Sequence, residues 1–248
     1  LSYYSVHTPL QAPKERVAKY EKKPKGERHR NATYAAMVES VDRSVGRVMA
    51  RLEKLGLAKN TVVIFTSDNG GHGRITSHQP LRGNKGNFYE GGIRVPLIVK
   101  WPGVIKPDST CKVPVISTDY YPTLLAMTGQ PARPKQHVDG RNLLPLLKQT
   151  GTVKREALYW HYPNYIGAGH PGGARPCSVI RSGDWKLIES FETNRLELVN
   201  PKEDLGEQKD HAAKMPAKAK ALQQQLAAWR AEAKVQMPQR NPDYKAGE

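Results

Sequence analysis

The sequence predicts an α/β protein: part of a helix-covered sheet, followed by a small α+β subdomain with an antiparallel sheet and one long helix. Three observations carry this expectation. Strand-type runs and a long helical pattern alternate through the first 150 residues. Composition shifts near Thr150. After it, short strand candidates follow one another and end in a single long helical pattern, the α+β order. The expected division is therefore residues 1–150 and 151–248.

The first element, Leu1–Val6, reads as a strand, and a chain that opens inside a strand is expected to continue a longer protein. His7-Thr8-Pro9 follows, with Pro9 unable to donate to a ladder. His7 is either a hydrogen-bonded loop residue or a site residue, because sites in α/β sheets gather at strand ends. Residues 13–30 are polar and lysine-rich, a surface connection. From Thr33 to Leu55 the period changes, and Val38, Val41, Val45, Val48, Leu52 and Leu55 form the stripe of an amphipathic helix. Gly56 is its stop signal. Thr61–Thr66, rich in β-branched residues, reads as a fully buried strand. Strand, helix and strand in this order suggest a βαβ unit, and so a parallel sheet.

Leu97–Trp101 is another short strand, ended by Pro102-Gly103. Asp119–Met127 and Asn142–Leu147 read as short helices, the first capped by Gly129. In the second part the strand candidates are 157–161, 177–181, 185–189 and 195–199, with Ser182-Gly183-Asp184 as a hairpin turn. A helix over 212–234 carries Met215, Ala219, Leu222, Leu226 and Trp229 as its apolar stripe.

Composition narrows the classes. Lys and Arg number 39 against 23 Asp and Glu, a net charge of +16, which suits polyanionic partners. A basic surface without any recognition role fits equally well. No zinc-finger, homeodomain or RNP-type signature accompanies the charge, so nucleic acid is not the expected partner. No apolar run reaches the length of a membrane span. Two cysteines, Cys111 and Cys177, make no disulfide framework.

The chemistry concentrates in residues 61–96. The buried strand runs into Ser67-Asp68-Asn69-Gly70-Gly71, offering side-chain oxygens of the kind a hard cation takes. The same residues are also common turn formers. Lys85 lies between Gly83 and Gly86, where backbone can approach an anion and an ammonium can act as a point charge.

Three segments together closely resemble the sulfatase family of the alkaline-phosphatase-like superfamily: Ser67-Asp68-Asn69-Gly70, Pro80–Gly86 with its Gly-x-Lys-Gly, and Tyr89–Pro96 with its Glu-Gly-Gly. The resemblance extends to His7-Thr8-Pro9, to Ser117–Thr123, to the hairpin of Ile180–Ile188 and to Leu198–Leu205, so it covers nearly the whole chain. It implies an alkaline-phosphatase-like mixed sheet and sulfuric ester hydrolysis. Asp68 and Asn69 would be calcium ligands, with Mg2+ the alternative ion. Lys85 would contact the sulfate, and His7 would bind the ester and protonate the leaving alcohol. His161 and His170, in the aromatic and glycine-rich stretch after Tyr159, are candidates for lining the substrate side. The substrate would be a sulfate ester, a sulfated glycan among the candidates. Family habit implies a secreted, periplasmic or lysosomal setting.

The departures are specific. Sulfatases use a formylglycine made within a Cys-or-Ser-x-Pro-x-Arg signature, and this sequence has none. Cys177-Ser178-Val179-Ile180-Arg181 has the Cys–Arg spacing without the proline and falls in a strand candidate, so Cys177 reads as a packing residue. The paired-aspartate segment that would complete the metal site is also absent. The expectation is a C-terminal portion carrying half of an active site and inactive alone. Two alternatives stand beside it: a phosphoester or phosphonate hydrolase of the same superfamily, with His72 and His78 as its possible transition-metal ligands, and a non-catalytic binder of acidic polysaccharide.

Overall fold

A computed structural model describes residues 1–166, 175–239 and 241–242. The chain divides into two compact units, one of residues 1–67 with 96–155, the other of residues 68–95 with 156–248.

In the first unit, α1 (Lys14–Glu21) packs on the long α2 (Ala32–Lys54). The Asn31 side chain accepts from Tyr34 N–H at 2.9 Å and caps α2. Gly56, at φ +67°, ends it by letting Leu57 N–H reach back to Leu52 C=O at 2.9 Å. β1 (Val63–Thr66) follows, and it pairs antiparallel with β2 (Leu97–Lys100), Ile64 opposite Val99 and Phe65 opposite Ile98. α4 (Tyr120–Met127) and α5 (Leu144–Leu147) complete the unit. Buried Asp119 ties its loops together: it accepts from Ile116 N–H at 2.9 Å and Arg141 N–H at 2.8 Å, and it pairs with Arg155.

Three expectations for this unit need correction. Residues 1–6 form no strand, because the segment closes a turn instead, His7 N–H donating to Tyr4 C=O at 3.0 Å. β propensity alone makes no strand without a laddered neighbour. The sheet is not parallel, since β1 returns through β2 as an antiparallel pair. Nor is β1 buried on both faces: its residues alternate half-buried and exposed, as befits a strand with one neighbour among the described residues.

The second unit holds a four-stranded antiparallel meander, β3 (Leu158–Tyr162), β4 (Cys177–Ser182), β5 (Trp185–Ser190) and β6 (Leu196–Val199), in that order. Gly183, at φ +56°, makes the β4–β5 turn, where L residues with a side chain are strained. α6 (Pro216–Glu232) lays Ala219, Leu222 and Leu226 on Ile180, Leu187 and Leu198. It starts later than the apolar pattern suggests, because Pro216 lacks an N–H and suits a first helical position. Tyr159 and Trp229 stack at 4.8 Å and pack against this cluster. The mixed α/β architecture with a terminal antiparallel sheet and one long helix matches the expectation for the chain. Among the described residues, no helix is long and apolar enough to cross a membrane.

Candidate active site

The site is a loop assembly in the second unit, built from residues 68–95 with α3 (Glu90–Ile93) at its end. Backbone hydrogen bonds hold its two limbs together. Gly70 N–H donates to Gly92 C=O at 2.9 Å, Gly91 N–H to Arg82 C=O at 2.7 Å, and Lys85 N–H to Gly71 C=O at 3.0 Å. Glycine is required for this closeness: a Cβ on Gly70 would lie 1.9 Å from Gly91 O, and one on Gly92 2.0 Å from Asn87 O. Asp68, Asn69 and Lys85 are thus brought into one structure, two peptide units of the first limb separating the acid–amide pair from the lysine's backbone partner.

Asp68 is exposed at the carboxyl end of β1, while Asn69 and Lys85 are half-buried. Asn69 Nδ2 donates to Asp68 Oδ1 and to Gly70 C=O, both at 3.2 Å. An amide donating through nitrogen presents oxygen as its acceptor, so the pair offers an oxygen-only donor set. That chemistry fits a hard cation such as calcium or magnesium in kind, although calcium takes about six to eight oxygens and needs more than this pair. Among the described residues no cluster of three His, Cys, Asp or Glu stands ready for a metal. His78 is committed to the scaffold: its Nε2 accepts Gly71 N–H at 2.7 Å.

The loop is clamped onto the C-terminal sheet by charged groups distant from it in sequence. Arg82 pairs with Glu197 at 2.6 Å, stacks over the Tyr89 ring at 3.7 Å and donates to Glu207 C=O at 2.8 Å. Tyr89 donates to Glu197 at 2.7 Å, and burial with that carboxylate raises its pKa, keeping it protonated. Glu90, 2% exposed, meets Lys186 at 2.9 Å and Arg181 at 3.2 Å. Burial pushes the Glu90 carboxyl up, but Lys186, Arg181 and Arg94 together outweigh it and hold the group below the usual carboxylate range. For Glu207 burial prevails over Lys186, and its pKa is raised. A signal existed in the sequence: Lys186 and Glu197 are charges inside otherwise apolar strand runs. Their partners, about a hundred residues away, were not readable from it.

The remaining candidates are on other segments of the chain. His7, in the first unit, is exposed, with Nδ1 at 2.8 Å from Thr8 C=O. A carbonyl only accepts, so Nδ1 carries the proton of the neutral ring and Nε2 is the basic nitrogen. His161 on β3 has both ring nitrogens engaged at 2.8 Å, with Ser178 Oγ and Gln236 C=O. His170 falls outside the described residues. Cys177 is buried in β4, where burial pushes its thiol up to about 12. It is a packing residue, in keeping with its strand position.

Comparison with known proteins bears on the same segments. The sulfatase family model matches residues 1–130. The chain belongs to the sulfatase family. A model of the N-sulphoglucosamine sulphohydrolase C-terminal region matches residues 83–234. A sulfatase of Formosa agariphila is 38% identical over 253 residues, covering 92% of this chain. Ps i-CgsB, solved in complex with k-i-k-neocarrahexaose, superposes with a TM-score of 0.77 at 30% identity over 91% of the chain. A structure in complex with its substrate D-glucosamine-2-N,6-O-disulfate gives 0.68 at 29% over 89%. This member of the sulfatase family spans 45% of the Formosa protein and 48% and 46% of the two solved chains.

Proposed function

We propose that this chain supplies the metal- and sulfate-binding wall of a sulfuric ester hydrolase acting on sulfated saccharides. One observation carries the reading most directly: in a sulfatase-family chain, the Lys85 N–H to Gly71 C=O bond ties the glycine-flanked lysine to the limb that holds Asp68 and Asn69. Sulfated saccharide is the substrate class favoured by the net charge of +16 and by the relative solved with D-glucosamine-2-N,6-O-disulfate.

The roles follow from the side chains. Lys85, a compact cation with three donors, binds a sulfate oxygen and steadies charge that grows as the ester bond breaks. Asp68 and Asn69 would hold calcium, or magnesium in its place, through their oxygens, and such an ion when bound supplies polarisation of the sulfate oxygens. His7 is oriented by its Nδ1–H to Thr8 C=O, which directs proton transfer to the leaving alcohol through Nε2. The nucleophile, a formylglycine in this reading, comes from a Cys-or-Ser-x-Pro-x-Arg segment not found among these residues. Cys177 does not substitute for it, being buried and held as a thiol. His161, with both ring nitrogens bonded within its own unit, leaves only its ring face for a substrate.

The test is turnover by the intact protein on paired sulfate and phosphonate esters, with calcium present and after chelation. Hydrolysis of the sulfate ester that falls on chelation and returns with calcium supports the reading. Preference for the phosphonate ester, or restoration by zinc alone, replaces it with the phosphonate-hydrolase alternative.

A further inference from the structure

We propose that Lys186 and Glu207 are positioning residues for the loop carrying Asp68, Asn69 and Lys85, acting through Glu90. The proposal rests on the sulfate-site reading of that loop. Lys186 stands on β5 and is fully buried. Its ammonium donates to Glu90 Oε1 at 2.9 Å and to Phe88 C=O at 3.0 Å, and it forms an ion pair with Glu207 Oε1 at 2.5 Å. The first two belong to the site loop. Glu207, also fully buried, grips the same loop at two further points. Its Oε2 accepts Glu90 N–H at 2.6 Å, and its C=O accepts from Arg82 at 2.8 Å. Its backbone sits at φ +50°, a region sparsely populated by residues with a side chain. Such a conformation persists where surrounding contacts over-determine it.

From Glu90 the connection continues without a gap. Gly91 N–H bonds Arg82 C=O, Gly92 C=O takes Gly70 N–H, and Gly71 C=O takes Lys85 N–H. The buried charges therefore fix where the loop's two limbs meet, and with them the spacing of the oxygen donors from the lysine. An apolar trio of equal volume could fill the same space, since buried ion pairs add little net stability over packed hydrophobes. It could not aim the Glu90 and Phe88 backbone, because dispersion contacts have no direction. Direction is what a sulfate site needs, since misplacement of about 1 Å can cost on the order of a hundredfold in rate.

The experiment is amide hydrogen exchange on the intact protein, comparing wild type with Glu207→Gln and Lys186→Met. Glu207→Gln keeps the shape of the side chain and an acceptor for Glu90 N–H but removes the charge facing Lys186. The expected result is exchange about tenfold faster at Gly70, Lys85 and Gly91, with the β4 amides still protected, the pattern of a local opening. A parallel fall in kcat of about tenfold on a sulfate ester, with KM little changed, marks loss of transition-state alignment rather than of binding. Unchanged exchange at those amides in Glu207→Gln overturns the proposal, as does an equal rise across β4. Lys186→Met should show the same pattern more strongly, and if it does not fold, Glu207→Gln decides. Local opening in a protein that hydrolyses no sulfate ester would keep the positioning role and discard the sulfate reading.

Discussion

The residues that matter most are charges whose partners lie far along the chain. Lys85 was recognisable because its glycine neighbours and the Asp-Asn-Gly segment form a motif with chemical sense. Glu90 lies in the same motif, but its task is set by the fold, where it faces Lys186, Arg181 and Arg94. Its folded pKa lies below the usual 4.5, so ionised Glu90 adds stability above that pH, and the contribution is lost as pH falls through the folded value. Glu207 has the opposite sign: its raised pKa favours the protonated state, a contribution full below 4.5 and lost as pH rises through the folded value. Glu90 therefore contributes to the acid limb of stability, together with Asp210, whose pKa is also lowered. Thermal melts from pH 7 down to about 3 should show Glu90→Gln less stable near neutrality and with a flatter acid limb than wild type. A parallel acid limb in the variant would remove Glu90 from that role.

At the scale of elements, periodic patterns transferred well. α2 and the β4–β5 hairpin formed where apolar spacing and Gly punctuation placed them, because these signals are local. By contrast, α6 begins only at Pro216, and the α2 stripe is not the buried face: Val38 and Leu55 are exposed, and Ala36 and Met37 are the buried residues. The opening strand and the parallel sheet did not form, because pairing depends on a neighbour and its direction, neither of which is written in a strand's own residues. Ile64, 37% exposed, shows the same limit: β-branched content measures fit to a sheet, not how many faces are covered. α6 invites a quantitative check. Leu226 is fully buried against the sheet, and Leu226→Ala should cost about 2–5 kcal/mol in denaturant unfolding. A loss under about 1 kcal/mol would mean that α6 contributes little to holding the second unit.

Across the whole molecule, the family and fold were legible from motif order, whereas the ion-pair clamp on the site loop was not. Sequence separation explains the difference. The Asp68–Lys85 relation lies within one loop, but Arg82–Glu197 and Glu90–Lys186 span 115 and 96 residues. On the proposed reading, the chain would hold one wall of a site, the metal oxygens of Asp68 and Asn69 and the sulfate cation Lys85, without a signature nucleophile. Residues 1–248 expressed alone should accordingly leave an aryl sulfate unhydrolysed above background in the presence of calcium, and robust turnover would place a nucleophile within this sequence. The central claim, that the loop around Lys85 is the sulfate-binding wall, meets its most direct test in kcat/KM of the intact protein and its Lys85→Ala variant on a sulfate ester. The account expects a fall of about a hundredfold to a thousandfold with folding unchanged, the usual effect of removing one group that stabilises developing charge. A variant within about twofold of wild type would contradict it.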